Sequence, residues 1–98
     1  MTTAARNWEQ ETLRLETLAA VDNVVIAWLR HEAATPPVKD FTREILDAAR
    51  QKLNRVEPDM GEQMDDAISH HEYGGPLGYR ARCYNDPGSI GESWLAGE

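Results

Sequence analysis

Prolines at positions 36, 37, 58 and 76 constrain this chain more than any other feature. A proline ring fixes φ, removes a backbone donor and disfavours helical geometry in the residue before it. An otherwise helix-prone sequence is thereby divided into one long segment, two shorter ones and a tail. With 98 residues, the chain suits one small domain whose core is modest.

The spacing predicts a first helix from Trp8 to Ala33, with Asn7 as its cap and Gln10 as the reciprocal partner. Leu15, Leu18, Asp22, Val25 and Leu29 follow 3/4 spacing, and Leu13, Val21, Val24 and Trp28 form a neighbouring stripe. A helix of this length is about 40 Å long. Its second half is apolar over more than one narrow stripe, through Leu18, Val21, Val24, Val25, Ile26, Trp28 and Leu29. Two short helices cannot cover so wide a surface. Contact with a second chain is therefore expected at Leu18, Val21, Val25, Trp28 and Leu29. The run VVIAWL is also β-prone, but helix formers flank it.

A second helix is predicted from Phe41 to Val56 with Asp40 as cap, and Phe41, Ile45, Ala48, Ala49, Leu53 and Val56 make one apolar face. Arg50, Lys52 and Arg55 crowd its C-terminal half, where the helix dipole favours cations. A third helix over 60–73 has Asp59 as cap and Glu62 as the box partner. Met60, Met64, Ala67, Ile68 and His71 share one of its faces, and Gly74 is placed to end it in the left-handed conformation. From Gly75 the sequence is rich in Gly and Pro and loses its period. It still carries Tyr79, Tyr84, Ile90, Trp94 and Leu95, which read as anchors of an extended arm lying in a groove. The expected organisation is all-α: a helical domain over 1–74, made of one long helix and two shorter antiparallel ones, then an irregular arm over 75–98. A second chain is expected to complete the bundle.

Little of the sequence carries chemistry. In SHHEYGG, residues 69–75, adjacent helical residues point about 100° apart, so His70 and His71 cannot jointly hold one ion. His71 falls on the apolar stripe and reads as a partly buried packing residue. His70 stands one turn after Asp66, a charge pair at a helix end. No metal site and no cofactor are read from the sequence; a shared metal site would have to draw on His31, Asp66 and His70. The Glu-x-x-His spacing of carboxylate-bridged bundles is missing. Cys83 is the one cysteine, which rules out an internal disulfide and favours a reducing, cytoplasmic setting. Arg80 and Arg82 beside it would lower a thiol pKa, yet no base is marked to activate it. YRARCY, residues 79–84, predicts an intramolecular cation–π contact or a docking peptide. No activating motif accompanies any serine, and no enzymatic role is assigned.

Seventeen acidic residues against ten basic ones give a net charge of −7, which disfavours duplex nucleic acid. The longest apolar run, Val24–Leu29, is far shorter than a membrane span, so no membrane partner is expected. Glu57, Asp59, Glu62, Asp65 and Asp66 form an acidic patch that reads as a solvated helix face, or as a dock for a basic partner. The function expected is protein–protein interaction, as a small acidic accessory or regulatory subunit binding itself or another chain. An immunity- or antitoxin-type inhibitor of a basic partner is the narrower alternative. Gly74–Gly75 after a helical segment, followed by a short tail with Cys and Ser, resembles the junction of ribosomally made, modified peptides. That resemblance implies a helical leader and a core peptide after Gly75; Ser69 and Glu72 depart from the apolar positions of such leaders. SIGESWL, residues 89–95, is similar to C-terminal encapsulin-targeting peptides, with departures at Glu92 and Trp94.

Overall fold

The computed structural model describes residues 2–85, with side chains from Glu11 onward. The described residues are all-α: α1 (Thr2–Ala33), α2 (Val38–Val56), α3 (Pro58–Ser69), a 3₁₀ turn (Glu72–Gly74) and α4 (Gly75–Asn85), with no strand among them. The expected ends of α1 and α2, at Ala33 and Val56, are those observed. Their starts are earlier. α1 runs through Asn7, which is therefore not its N-cap position. α2 begins at Val38, so Asp40 stands inside its first turn and Pro37 takes the cap position without a side-chain hydrogen bond. Pro37 can occupy that position because its missing N–H would be unsatisfied there anyway. The same logic moves the start of α3: Glu57 is the cap residue, Pro58 opens the helix, and Asp59 lies in the first turn.

Two corrections concern the C-terminal third. α3 stops at Ser69 instead of continuing to Tyr73, because the chain turns at His71 and Tyr73, which both adopt left-handed φ of 57° and 60°. His71 is consequently exposed and leaves the apolar face on which 3/4 spacing had put it. The arm expected to be irregular from Gly75 is, over its first eleven residues, the helix α4. Gly75 and Pro76 open α4 and are both buried, the glycine at φ 87°. Pro76 is expected to bar continuation of the third helix, and α3 does end before it; in the first turn of α4 it is tolerated, since the first N–H groups have no partner inside the helix.

α2 packs on α1 more extensively than any other pair of elements, α3 packs on α2, and α4 closes the arrangement against both α1 and α3. The core between them is formed by Ala20, Val21, Val24, Val25 and Ala27 of α1, Leu46 and Leu53 of α2, Met60, Met64 and Ala67 of α3, and Tyr79 and Cys83 of α4. Leu18, Trp28, Ala49, Ile68 and Tyr73 pack around it, half-buried. Full burial of side chains such as Leu53, Met60 and Met64 contributes about 1.5–3 kcal/mol each. α1 outruns its partners: no residue from Glu11 to Glu16 is buried, and burial begins at Thr17. The Thr17 hydroxyl, fully buried, donates to the Leu13 carbonyl at 2.8 Å, so its polar atom is satisfied within the helix.

Candidate interaction surface

α2 and α4 together account for most of the wide apolar surface of α1. Val21 and Val25, expected to meet a second chain, are 0 % and 3 % exposed within the chain's own core. The sequence count of covering helices had been one short. Tyr79, expected as a docking anchor, is likewise fully buried inside the fold. Its hydroxyl donates to Gln63 Oε1 on α3 at 2.8 Å, and its ring tilts against Tyr73 with centroids 5.1 Å apart. Desolvation by burial holds the Tyr79 phenol far above its ordinary range. One helical turn on, the same desolvation pushes the Cys83 thiol up to about 11. The neighbouring arginines therefore do not activate it, and a buried neutral thiol is an inert packing group.

Those arginines are engaged elsewhere. Arg80 donates through Nε to Asp22 Oδ1 of α1 at 2.6 Å, and the Tyr84 hydroxyl donates to the other carboxylate oxygen at 2.8 Å. The Arg80 guanidinium also lies 4.7 Å from the Tyr84 ring centroid, and that of Arg82 lies 5.3 Å from the Tyr73 ring centroid. The intramolecular cation–π reading of YRARCY thus holds. Asp22, an acidic residue amid apolar neighbours on α1, is the residue that clamps α4 in place. On the opposite side Arg50 of α2 bridges Asp65 of α3 at 2.8 Å and Asp47 of its own helix at 3.6 Å.

The residues from which a metal site would be drawn are not brought together. His70 ends α3, where its backbone N–H donates to the Asp66 carbonyl at 2.8 Å, while both side chains are exposed. His31 Nδ1 lies 3.0 Å from the Thr42 hydroxyl, which itself donates to the Lys39 carbonyl at 2.9 Å. The hydroxyl proton is thereby used, so Nδ1 carries the ring proton and donates. No group of three or more His, Cys, Asp or Glu side chains able to hold an ion occurs among the described residues. A notch of about 200 Å³ at the α1–α2 joint is lined by His31, Pro36, Pro37, Lys39, Asp40 and Arg43.

Uncovered apolar side chains are the remaining feature. On α1, Leu15, Ile26 and Leu29 are 58 %, 47 % and 44 % exposed and fall within an arc of about 60° of the helix. Leu18, also expected at an interface, borders that row half-buried, and Trp28, expected there too, packs half-buried against the core. On α2, Val38, Phe41 and Ile45 are exposed. The sequence had put Phe41 and Ile45 with Leu53 on one face; the face is wider than the groove it enters, and one edge stays in solvent. Tyr84 keeps its ring half-exposed while its hydroxyl is occupied by Asp22. Ile90, Trp94 and Leu95, with the segment 89–95, lie outside the described residues.

The chain matches no protein-family model, no curated protein and no solved structure. No described helix is long and apolar enough to cross a membrane.

Proposed function

We propose that this protein works by protein–protein contact, as a small acidic accessory or regulatory subunit in a stable complex. The observation that carries this reading is Leu15, Ile26 and Leu29 on α1, which stay exposed on either side of Asp22, where α4 docks through Arg80 and Tyr84. An exposed row of large aliphatic side chains on a long helix suits a partner helix or groove that accepts anchors at helical spacing. Leu13, which like Leu15 precedes the first buried residue described on α1, Thr17, is exposed as well.

A basic partner is the second reading. The exposed acids Asp59, Glu62 and Asp66 on α3, with the net charge of −7, favour it. A peptide-precursor role is the least supported. Cleavage after Gly75 would strip Tyr79 and Cys83 from the core, and Gly75 itself is buried.

The test is affinity capture of the full chain from its native source with quantitative mass spectrometry, beside the variant Leu15→Glu/Ile26→Glu/Leu29→Glu. A stoichiometric protein that co-elutes with the wild type and is lost with the variant is the expected result. Equal capture by both chains would sink the proposal. A partner lost instead on charge reversal of Asp59, Glu62 and Asp66 would move the site to α3.

A further inference from the structure

The outer edge of α2 pairs an apolar row with a charge pattern that matches itself. Val38, Phe41 and Ile45 are exposed, and Ala48 continues their 3/4 spacing, also exposed. Close to the same edge stand Glu44 before Ala48, then Lys52 and Arg55 after it, all exposed. None of these three side chains takes part in an ion pair among the described residues. Glu44 and Lys52 are each four residues from Ala48, hence about 6 Å along the axis on either side of it. Phe41 and Arg55 are each seven residues away.

We infer that this edge of α2 is a self-association surface, on which a second copy of the chain packs its own α2 antiparallel across a two-fold axis at Ala48. The axis places residues equidistant from Ala48 opposite one another, so Glu44 faces Lys52 of the partner subunit, and Lys52 faces the partner's Glu44. Phe41 lies beneath the stem and guanidinium of the partner's Arg55, a contact that is apolar along the stem and cation–π at its head. Ala48 at the axis lets the two helices approach closely, and Ile45 fills the space on each side. A parallel pairing would set Glu44 against Glu44 and Lys52 against Lys52, which like-charge repulsion disfavours. The pattern therefore selects both the occupant and its direction. Self-pairing of one patch in this way is the isologous interface typical of two-fold dimers. The apolar row supplies the attraction and the charges fix the register. This surface is separate from the α1 row and does not rest on the partner proposed for it.

Sedimentation equilibrium of the purified full chain over a concentration series tests the inference. The wild type is expected to associate to a dimer. Glu44→Lys or Lys52→Glu alone sets like charges face to face at both ends of the interface and weakens association by about tenfold or more. The double swap Glu44→Lys/Lys52→Glu restores opposite pairs and is expected to recover the wild-type constant. Circular dichroism and thermal unfolding check that these exposed changes leave the fold intact. Phe41→Ala weakens association without touching either charge. A wild-type chain that stays monomeric at millimolar concentration overturns the inference, as does a dimer indifferent to every change on α2. A double swap no better than the singles also overturns it. Dimerisation that survives the triple α1 change above is expected, so failure here and failure of the α1 partner reading are distinguishable.

Discussion

α2 and α4 are opposites. α2 has the cleanest 3/4 apolar spacing in the chain, and it leaves Phe41 56 % and Ile45 44 % exposed. α4 has no sustained period and opens on Gly-Pro, yet Tyr79 and Cys83 are 0 % and 2 % exposed. Periodicity reports that a face exists. Whether the face is covered depends on how many neighbours reach it and at what angle. α2 meets α1 and α3, which between them fill an arc narrower than its apolar face. α4 needs only one large side chain, Tyr79, and the small thiol of Cys83, because it enters a gap that α1 and α3 have already lined with apolar groups.

The contrast is sharpest for truncations to alanine. Tyr79→Ala should cost about 3–5 kcal/mol, since it removes a fully buried ring and leaves a cavity among packed helices. Urea unfolding measures it; a cost near zero would mean α4 is not part of the cooperative core. Leu53→Ala on α2, equally buried, should cost about 2–5 kcal/mol. Gly78→Ala probes α4 by the opposite change. A Cβ there would collide with the Tyr73 carbonyl oxygen, a backbone atom that cannot swing aside. A loss of about 1–3 kcal/mol is expected, typical of overpacking. Tyr79→Phe keeps the ring and removes only the bond to Gln63, for about 0.5–1.5 kcal/mol. Ile45→Ala, on the same helix as Leu53, should change monomer stability by less than about 0.5 kcal/mol when measured at high dilution. A large effect of that last change would mean its edge of α2 is covered within the monomer.

Cys83 gives a pH-dependent version of the same test. Its thiol has an ordinary value of 9.0 and is raised to about 11 in the fold by burial. Above 9.0 the unfolded chain therefore releases this proton while the folded chain keeps it. Ionisation then draws the equilibrium toward the unfolded state, and stability falls as pH rises from about 9 to about 11. Tyr79, raised from 10.0 by the same desolvation, steepens the fall at its upper end. Denaturant midpoints at about pH 8 and about pH 10.5 should separate by more in the wild type than in Cys83→Ala. Alkylation of Cys83 at neutral pH should proceed only as fast as the chain opens.

Helical content, the ends of α1 and α2 and most of the core positions on α1, α2 and α3 were legible in the residues. Thr35 before Pro36 and Val56 near Pro58 mark where α geometry becomes unfavourable, and Val21, Val24, Leu53, Met60 and Met64 recur at helical spacing. These are local signals, set by one residue's sterics or by the period of one element. That α4 was not expected has a local cause too. A proline that ends one helix can equally begin the next, and which of the two occurs depends on whether the residues beyond it find a surface to bury. The positions of His71 and Tyr73 follow from the same event. Once α4 packs on α1 and α3, the chain must reverse within a few residues, and it does so with four consecutive or near-consecutive positive φ values at His71, Tyr73, Gly74 and Gly75.

The residues alone establish an all-helical chain, the places where its first two helices stop, and a surplus of apolar surface on α1. How that surplus divides is a matter of packing: Val21 and Val25 enter the core, while Leu15, Ile26 and Leu29 stay outside. The physical reason is that a side chain's period is a property of its own helix, whereas its burial is a property of the three-dimensional neighbours that arrive. Asp22 shows both at once. It is an acidic residue on an apolar stripe in the sequence, and in the fold it accepts from Arg80 and Tyr84, residues of a helix that no local pattern announced.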